Sequence, residues 1–288
     1  MIDLLAQATL DAALAEATRL LSAAGVDGAR LEARLLAGHA LGIDADAVIG
    51  RPGRRLAPEE AARLAGVVRR RIDREPIAYI LGEREFWSLP FGVNDAVLIP
   101  RPDSETLVGA ALDLTRDRQA PMRILDLGTG SGCLLLSVLS ELPNARGVGV
   151  DISARALTVA RDNARRLGLG GRAGFVQGDW AGALTGEFDL ILANPPYLAE
   201  TELHALAPEI SRFEPPVALF AGADGLACYR VLIPALTRLL AKAGTAFLEI
   251  GAGQAAPVAG LARNAGLNLS MARKDLAGID RCLVLRRP

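Results

Sequence analysis

Histidine and cysteine are scarce in this 288-residue chain, with two and three copies. Cys133, Cys228 and Cys282 are odd in number and far apart, which excludes a disulfide framework and fits a reducing compartment. His39 and His204 have no Cys or His neighbours at metal-ligand spacing, so no metal site is expected. No apolar run reaches the roughly 18 residues of a membrane span. The first residues carry Asp3, Asp11 and Glu16, not the basic start and apolar centre of a signal peptide, so a cytoplasmic location is expected. Excess charge of either sign is missing too. Arginine greatly outnumbers lysine, yet the formal net charge is −1, and no overall basicity points to nucleic acid. Repeats and low-complexity tracts are absent. What is present is apolar: 51% hydrophobic residues against 23% charged, enough for packed cores in about two domains.

Residues 1–75 read as a helical N-terminal domain. Leu4, Leu5, Ala8, Ala12 and Ala15 recur at helical spacing, as do Leu31, Leu35 and Leu36. Pro58-Glu59-Glu60 suits a helix start, and the segment 59–74 ends in Arg69, Arg70, Arg71 and Arg74. That run reads as a solvated end that complements the helix dipole, or as a contact for RNA or an acidic protein. Residues 76–102, punctuated by Pro76, Gly82, Pro90, Gly92 and Pro100 around Phe86, Trp87 and Phe91, read as a β-hairpin linker. In 103–288 strands at 122–127, 146–151, 172–177, 187–193, 244–250, 267–273 and 281–287 are separated mostly by helices. This pattern predicts an α/β domain with a mostly parallel, doubly wound sheet of seven strands.

The first of those strands runs into Asp126-Leu127-Gly128-Thr129-Gly130-Ser131-Gly132, followed by a helix. Such glycines let the backbone turn sharply and lie close to a ligand at the strand's C-terminal edge. A dinucleotide site favours G-x-G-x-x-G, with pyrophosphate on the helix N-terminus. Here the spacing is G-x-G-x-G, and the preceding Asp126 would repel pyrophosphate but suit a cationic amino-acid group. Asp151, ending the second strand, can accept two ribose hydroxyls. Asp179 and Trp180, after the third, offer an acid and a ring to an adenine. Together these residues resemble the cofactor site of class I S-adenosylmethionine-dependent methyltransferases, which implies a Rossmann-like sheet and S-adenosylmethionine as cofactor.

The fourth strand ends abruptly at Asn194-Pro195-Pro196-Tyr197. Proline ends a ladder, but the upstream loop points to more than a terminator. A planar amide or ring-bound nitrogen is a poor nucleophile, because its lone pair is delocalised. Acceptors that hold its N–H groups aim that lone pair and favour the tetrahedral, partly positive nitrogen of the transition state. Asn194 offers a side-chain oxygen, Pro195 a carbonyl in a stiff frame, and Tyr197 a face for a flat group. The chemistry is amino methylation, of a base or of an amide.

The segments Arg84 to Pro90, Leu98 to Thr106, Arg212-Phe213-Glu214-Pro215 and Leu248-Glu249-Ile250-Gly251 resemble the PrmC/HemK protein-(glutamine-N5) methyltransferases. The resemblance implies that the substrate is the glutamine of the GGQ motif in class I peptide chain release factors. It implies that Asp126, Gly128 to Gly132, Asp151, Asp179, Trp180 and Asn194 hold S-adenosylmethionine. Asn194, Pro195, Pro196 and Tyr197 would hold the glutamine, with Phe86 and Arg101 approaching from the hairpin, although Phe86 and Trp87 could equally be interdomain core. Arg101 and Glu105 are expected to pair or to brace the cofactor pocket, with a purely structural helix-start role for Glu105 as the alternative, Arg212 and Glu214 to brace the loop after Tyr197, and Glu249 to bond a backbone amide. The N-terminal domain would dock the release factor, and the chain is expected to be a monomer. The main alternative is a nucleic-acid amino methyltransferase, which needs a phosphate-gripping surface that the net charge does not suggest. A non-catalytic binding protein and a nicotinamide oxidoreductase are weaker alternatives.

Overall fold

The computed structural model describes residues 9–51, 53–182 and 184–288. The predicted helical spacing at Leu4, Leu5 and Ala8 lies outside them. In chain order the elements are α1 (Leu10–Ala23), α2 (Ala29–Leu41), α3 (Ala45–Ile49), α4 (Pro58–Ile72), α5 (Ile77–Leu81), β1 (Glu83–Phe86), β2 (Leu89–Gly92), α6 (Glu105–Leu114), β3 (Arg123–Leu127), α7 (Cys133–Glu141), β4 (Arg146–Asp151), α8 (Ala154–Arg166), β5 (Ala173–Gln177), β6 (Phe188–Ala193), α9 (Pro208–Phe213), α10 (Ala227–Leu239), β7 (Leu240–Glu249), α11 (Ala255–Asn264), β8 (Asn268–Lys274) and β9 (Asp280–Arg286). The chain forms two compact units: Met1–Gly82 with Ala207–Phe213, and Glu83–Leu206 with Glu214–Pro288. Among the described residues no helix is long and apolar enough to cross a membrane.

The first unit is helical. Leu10, Leu21, Leu36 and Leu64 are fully buried in its core, on the inward faces of α1, α2 and α4. Pro58 opens α4, and Glu60 accepts the Ala57 N–H at 3.0 Å, satisfying one of the donors a helix start leaves unpaired. The arginine run at its end is not uniformly solvated. Arg71 is 5% exposed and pairs with Glu32 (2.6 Å) and with Glu209 of α9 (2.9 Å); Arg74 also pairs with Glu209. Arg70 pairs with Glu75 across the helix end. Four residues apart in sequence, Arg70 and Arg74 therefore serve different partners, and a segment from far along the chain is anchored by ion pairs.

The second unit holds a seven-stranded sheet of order β5-β4-β3-β6-β7-β9-β8. Pairings from β5 to β7 are parallel, and β9 runs antiparallel between β7 and β8. This is the expected mostly parallel, doubly wound sheet. The central strands are buried on both faces and read as near-continuous apolar runs, whereas the edge strands β5 and β8 are largely exposed. Alternate residues still go to opposite sides: Ile124, Phe247, Cys282 and Val284 to one core, and Leu125, Leu127, Ala246, Leu248, Leu283 and Leu285 to the other. The expected strand at 244–250 begins earlier, at Leu240, directly after α10, with a register shift between Phe188 and Leu190 where it meets β6.

The hairpin of β1 and β2 turns through Trp87 and Ser88, both at positive φ (52° and 56°), the geometry of a tight two-residue connection. Glu105 stabilises that turn by accepting the Trp87 N–H at 2.9 Å. Phe86 was expected at the substrate site. It is 1% exposed and lies in the core, edge-on to Phe91 with centroids 6.2 Å apart. The pleat of β1 sends it inward, so its contribution is packing.

Candidate functional site

Open α/β sheets bind ligands in the crevice outside the carboxyl ends of the strands, where the winding reverses, and that point falls at β3, between β4 and β6. A cavity of about 270 Å³ lies there. Its floor is the loop after β3. Gly128, Gly130 and Gly132 all take positive φ (76°, 54° and 82°), so the chain can fold back where a side chain would be strained. The Gly128 and Thr129 N–H groups donate to the Val150 carbonyl, both at 2.9 Å, which clamps the loop to β4. Gly132 closes the turn by donating to Thr129 O at 2.8 Å and is itself buried, off the cavity wall.

Asp151, at the end of β4, lines the cavity. Its Oδ2 accepts the Gly130 N–H at 2.8 Å and its Oδ1 the Ser153 N–H at 2.9 Å. Each oxygen keeps a further lone pair, and the two lie side by side as a vicinal diol requires. Asp179 and Trp180 line the same cavity, as do Gly128, Thr129, Gly130 and Ser131. The Trp180 ring lies over Gly128: a Cβ there would sit 3.4 Å from it, so the glycine also makes room for the indole. Trp180 is held at φ 50°, an uncommon conformation for a bulky residue and one that clusters at ligand sites.

Asp126 does not reach the cavity. It is 1% exposed, and burial pushes its carboxyl up to about 7. It shares strand parity with Ile124, so its side chain enters the α7 side of the sheet, where it accepts from Thr129 Oγ1 at 2.7 Å. There it holds the loop from beneath through Oδ2, while its Oδ1 has no hydrogen-bond partner among the described residues. Ser131, by contrast, lines the cavity.

The stretch after β6 is extended, and alternation divides it. Asn194 and Pro196 line the cavity; Pro195 and Tyr197 do not. Asn194 Nδ2 donates to Ser104 Oγ at 3.1 Å, which leaves Oδ1 as its free acceptor. Tyr197 was expected to stack against a substrate. Its ring instead packs beside Gly251, whose Cβ, if present, would lie 3.0 Å from Cδ2, and burial raises the phenol to about 12. Gln254 fixes the same turn, donating to Tyr197 O at 2.9 Å and accepting the Gly251 N–H at 3.0 Å. The strand-like exchange of Leu198 with Leu219 and Ala221 then ties the chain to the far wall at Phe220.

Arg101 lines the cavity, but its partner is Glu214 (2.5 Å), not Glu105. Glu214 is buried and also accepts the Ile99 N–H at 3.1 Å, so one carboxylate sets the turn from Ile99 to Arg101. Three positions escaped the sequence reading. Asn163 of α8 bonds both the N–H and the carbonyl of Gly92 and the carbonyl of Ser131, joining hairpin to loop. Ser104 and Gln254 are the other two. Asn163 and Ser104 stand among other polar and charged residues, so nothing local marks them as buried, whereas Gln254 is a lone amide in a turn rich in glycine and alanine.

Residues 12–82 match a family described as the PrmC N-terminal domain, and residues 119–225 one described as a methyltransferase domain. The chain is 50% identical over 267 residues to a protein of Rhodospirillum rubrum named release factor glutamine methyltransferase, covering 93% of this chain and 82% of that one. A protein of the same name from Bradyrhizobium diazoefficiens is 46% identical over 270 residues, covering 93% and 91%. Among solved structures, the hMettl16 catalytic domain in complex with a 3'UTR hairpin shares the fold, at a TM-score of 0.55 and 16% identity over 79% of this chain and 81% of that one. The glycine loop, the strand-end acids and the turn at Asn194 thus stand in a chain that belongs to the release factor glutamine methyltransferase family.

Proposed function

We propose that this chain transfers a methyl group from S-adenosylmethionine to the side-chain amide nitrogen of a glutamine in a class I release factor, the glutamine of the GGQ motif. The observation that carries the reading is the orientation of Asn194: with Nδ2 bonded to Ser104, its free group beside the cavity is an acceptor. An acceptor is what a primary amide, a donor at nitrogen, requires.

The residues fit the donor. Asp151 offers paired oxygens to a ribose diol, and Trp180 offers a ring and Asp179 an acid to an adenine. Bound there, the donor supplies a sulfonium-linked methyl carbon and departs as a neutral thioether. Asn194 Oδ1 holds one amide N–H of the glutamine and aims the nitrogen lone pair at that carbon. A nitrogen–carbon bond forms as the sulfur–carbon bond breaks, and the methylated nitrogen releases one proton to water. No strong base is required, because the nitrogen is acidic once methylated. Arg101, held by Glu214, and Pro196 shape the wall that receives the side chain. Docking of the release factor is assigned to the helical unit, on the match of residues 12–82 to the PrmC N-terminal domain.

The test is transfer of labelled methyl groups from S-adenosylmethionine to four acceptors: a class I release factor, its variant with the GGQ glutamine changed to alanine, bulk DNA and ribosomal RNA. Label on the unaltered factor alone is expected. Label on nucleic acid alone would preserve amino methylation and overturn the substrate.

A further inference from the structure

Asn194 serves an amide only while its own carboxamide faces one way. Turned by half a rotation about its last bond, it would show the substrate two N–H groups in place of an oxygen. The structure contains a device that decides between these states.

Ser104, buried just before α6, accepts from Asn194 Nδ2 at 3.1 Å. A hydroxyl has a single proton, so Ser104 still has one to give. Glu249, at the end of β7, is the carboxylate that the Ser104 and Asn194 side chains reach. It is 1% exposed, its Oε2 has no hydrogen-bond partner, and no salt bridge to it exists among the described residues. A buried carboxylate with no paired cation opposes folding, so its presence behind Asn194 calls for a role. Among the described residues no backbone amide donates to its side chain, which is where it differs from the expectation.

We infer that Glu249 is a positioning residue which, acting through Ser104, keeps the oxygen of Asn194 turned toward the acceptor amide. This inference rests on the proposed amide methylation. While ionised, Glu249 can only accept. Ser104 must then give its proton to Glu249 and receive the Asn194 N–H. Once protonated, Glu249 becomes a donor, Ser104 can turn its proton toward Asn194 Oδ1, and the unproductive orientation is no longer disfavoured.

Burial pushes Glu249 up to about 7, so the change falls near neutrality. The charged groups that act on it are Arg281 of β9, which favours ionisation, and Asp103, which opposes it. Four other titratable groups sense its charge: Tyr197 after β6, Tyr229 on α10, Cys133 on α7 and Cys282 on β9. Burial raises all four to about 12 or beyond, so they stay protonated across the window in which Glu249 titrates. Asp126 titrates in the same range but from beneath the cofactor loop.

The experiment is the pH profile of kcat for release factor methylation, from about pH 6 to 9, for the unaltered protein, Glu249→Gln, Ser104→Ala and Asp126→Asn. Binding of S-adenosylhomocysteine and thermal melting report whether each variant is folded. In the unaltered protein kcat should fall toward tenfold per unit as pH drops below about 7, with KM for S-adenosylmethionine nearly constant. Glu249→Gln should flatten that limb. Ser104→Ala should lower kcat at pH 8 by about tenfold, the worth of one ordering hydrogen bond to a charged chain, and flatten the limb as well. Asp126→Asn should keep it. A Glu249→Gln or Ser104→Ala protein that binds cofactor, turns over at the original rate and retains the original limb overturns the inference. Should Glu249→Gln fail to fold, Ser104→Ala alone decides. If the unaltered protein methylates no glutamine at any pH, the proposed function fails instead, and the two failures are told apart by that arm.

Discussion

Changing Asn163 to alanine tests how the hairpin and the cofactor loop are joined. Asn163 is 1% exposed and makes three hydrogen bonds: from Gly92 N at 2.7 Å, to Gly92 O at 3.0 Å and to Ser131 O at 2.9 Å. Gly92 is half-buried, so water can replace part of what it loses, at about 1 kcal/mol for each bond. Ser131 is buried, and leaving its carbonyl unpaired costs about 1–3 kcal/mol. The sum is a loss of about 3–5 kcal/mol, a large share of the stability of an ordinary domain. Ser131 directly follows Gly130, whose N–H holds Asp151. Roughly 1.4 kcal/mol of that loss falling on the loop would weaken cofactor binding about tenfold. Urea unfolding followed by circular dichroism gives the first quantity, and calorimetric titration with S-adenosylhomocysteine the second. Stability within about 0.5 kcal/mol of the original, with unchanged affinity, would refute the reasoning.

Three further changes probe other parts of the account. Gly251→Ala places a methyl group 3.0 Å from the Tyr197 ring and 2.9 Å from Gln254 Oε1, so it should displace the turn after Asn194, and kcat should fall more than cofactor affinity. Steady-state kinetics beside a binding titration separates the two. Arg71→Ala leaves Glu32 without its cation, while Glu209 keeps Arg74, and should cost about 1–3 kcal/mol; an unchanged denaturation midpoint would contradict it. Asp126 is raised from 3.8 to about 7 by burial, so the folded state holds its proton more tightly than the unfolded one. Its contribution to stability is present below pH 3.8 and is lost as pH rises through about 7. Melting of Asp126→Asn should therefore gain on the unaltered protein between those values, and a constant difference would count against the assignment.

Much of this fold was legible in the residues. Alternation in Ile124-Leu125 or Leu283-Val284-Leu285 marks strands buried on both faces, and the helices between them imply parallel pairing. Strand-end acids and glycines located the cavity, because a doubly wound sheet binds at those ends. Side-chain direction was harder. Asp126, Pro195, Tyr197 and Phe86 were placed at the site by motif, although strand parity turns each away from it. Parity could have been counted for Asp126 from Ile124 in the same strand, and for Tyr197 from Asn194. Pairings such as Arg101 with Glu214, or Arg71 with Glu209, join residues more than a hundred positions apart, and nothing local announces them.

The central claim is that the Asn194 oxygen orients the amide for methyl transfer. Its most direct test is Asn194→Ala, measured for release factor methylation and for S-adenosylhomocysteine affinity in the same preparation. The account predicts loss of most turnover, at least about a hundredfold for a removed acceptor that acts on the developing charge, with cofactor affinity largely kept. Undiminished methylation by that variant would contradict it.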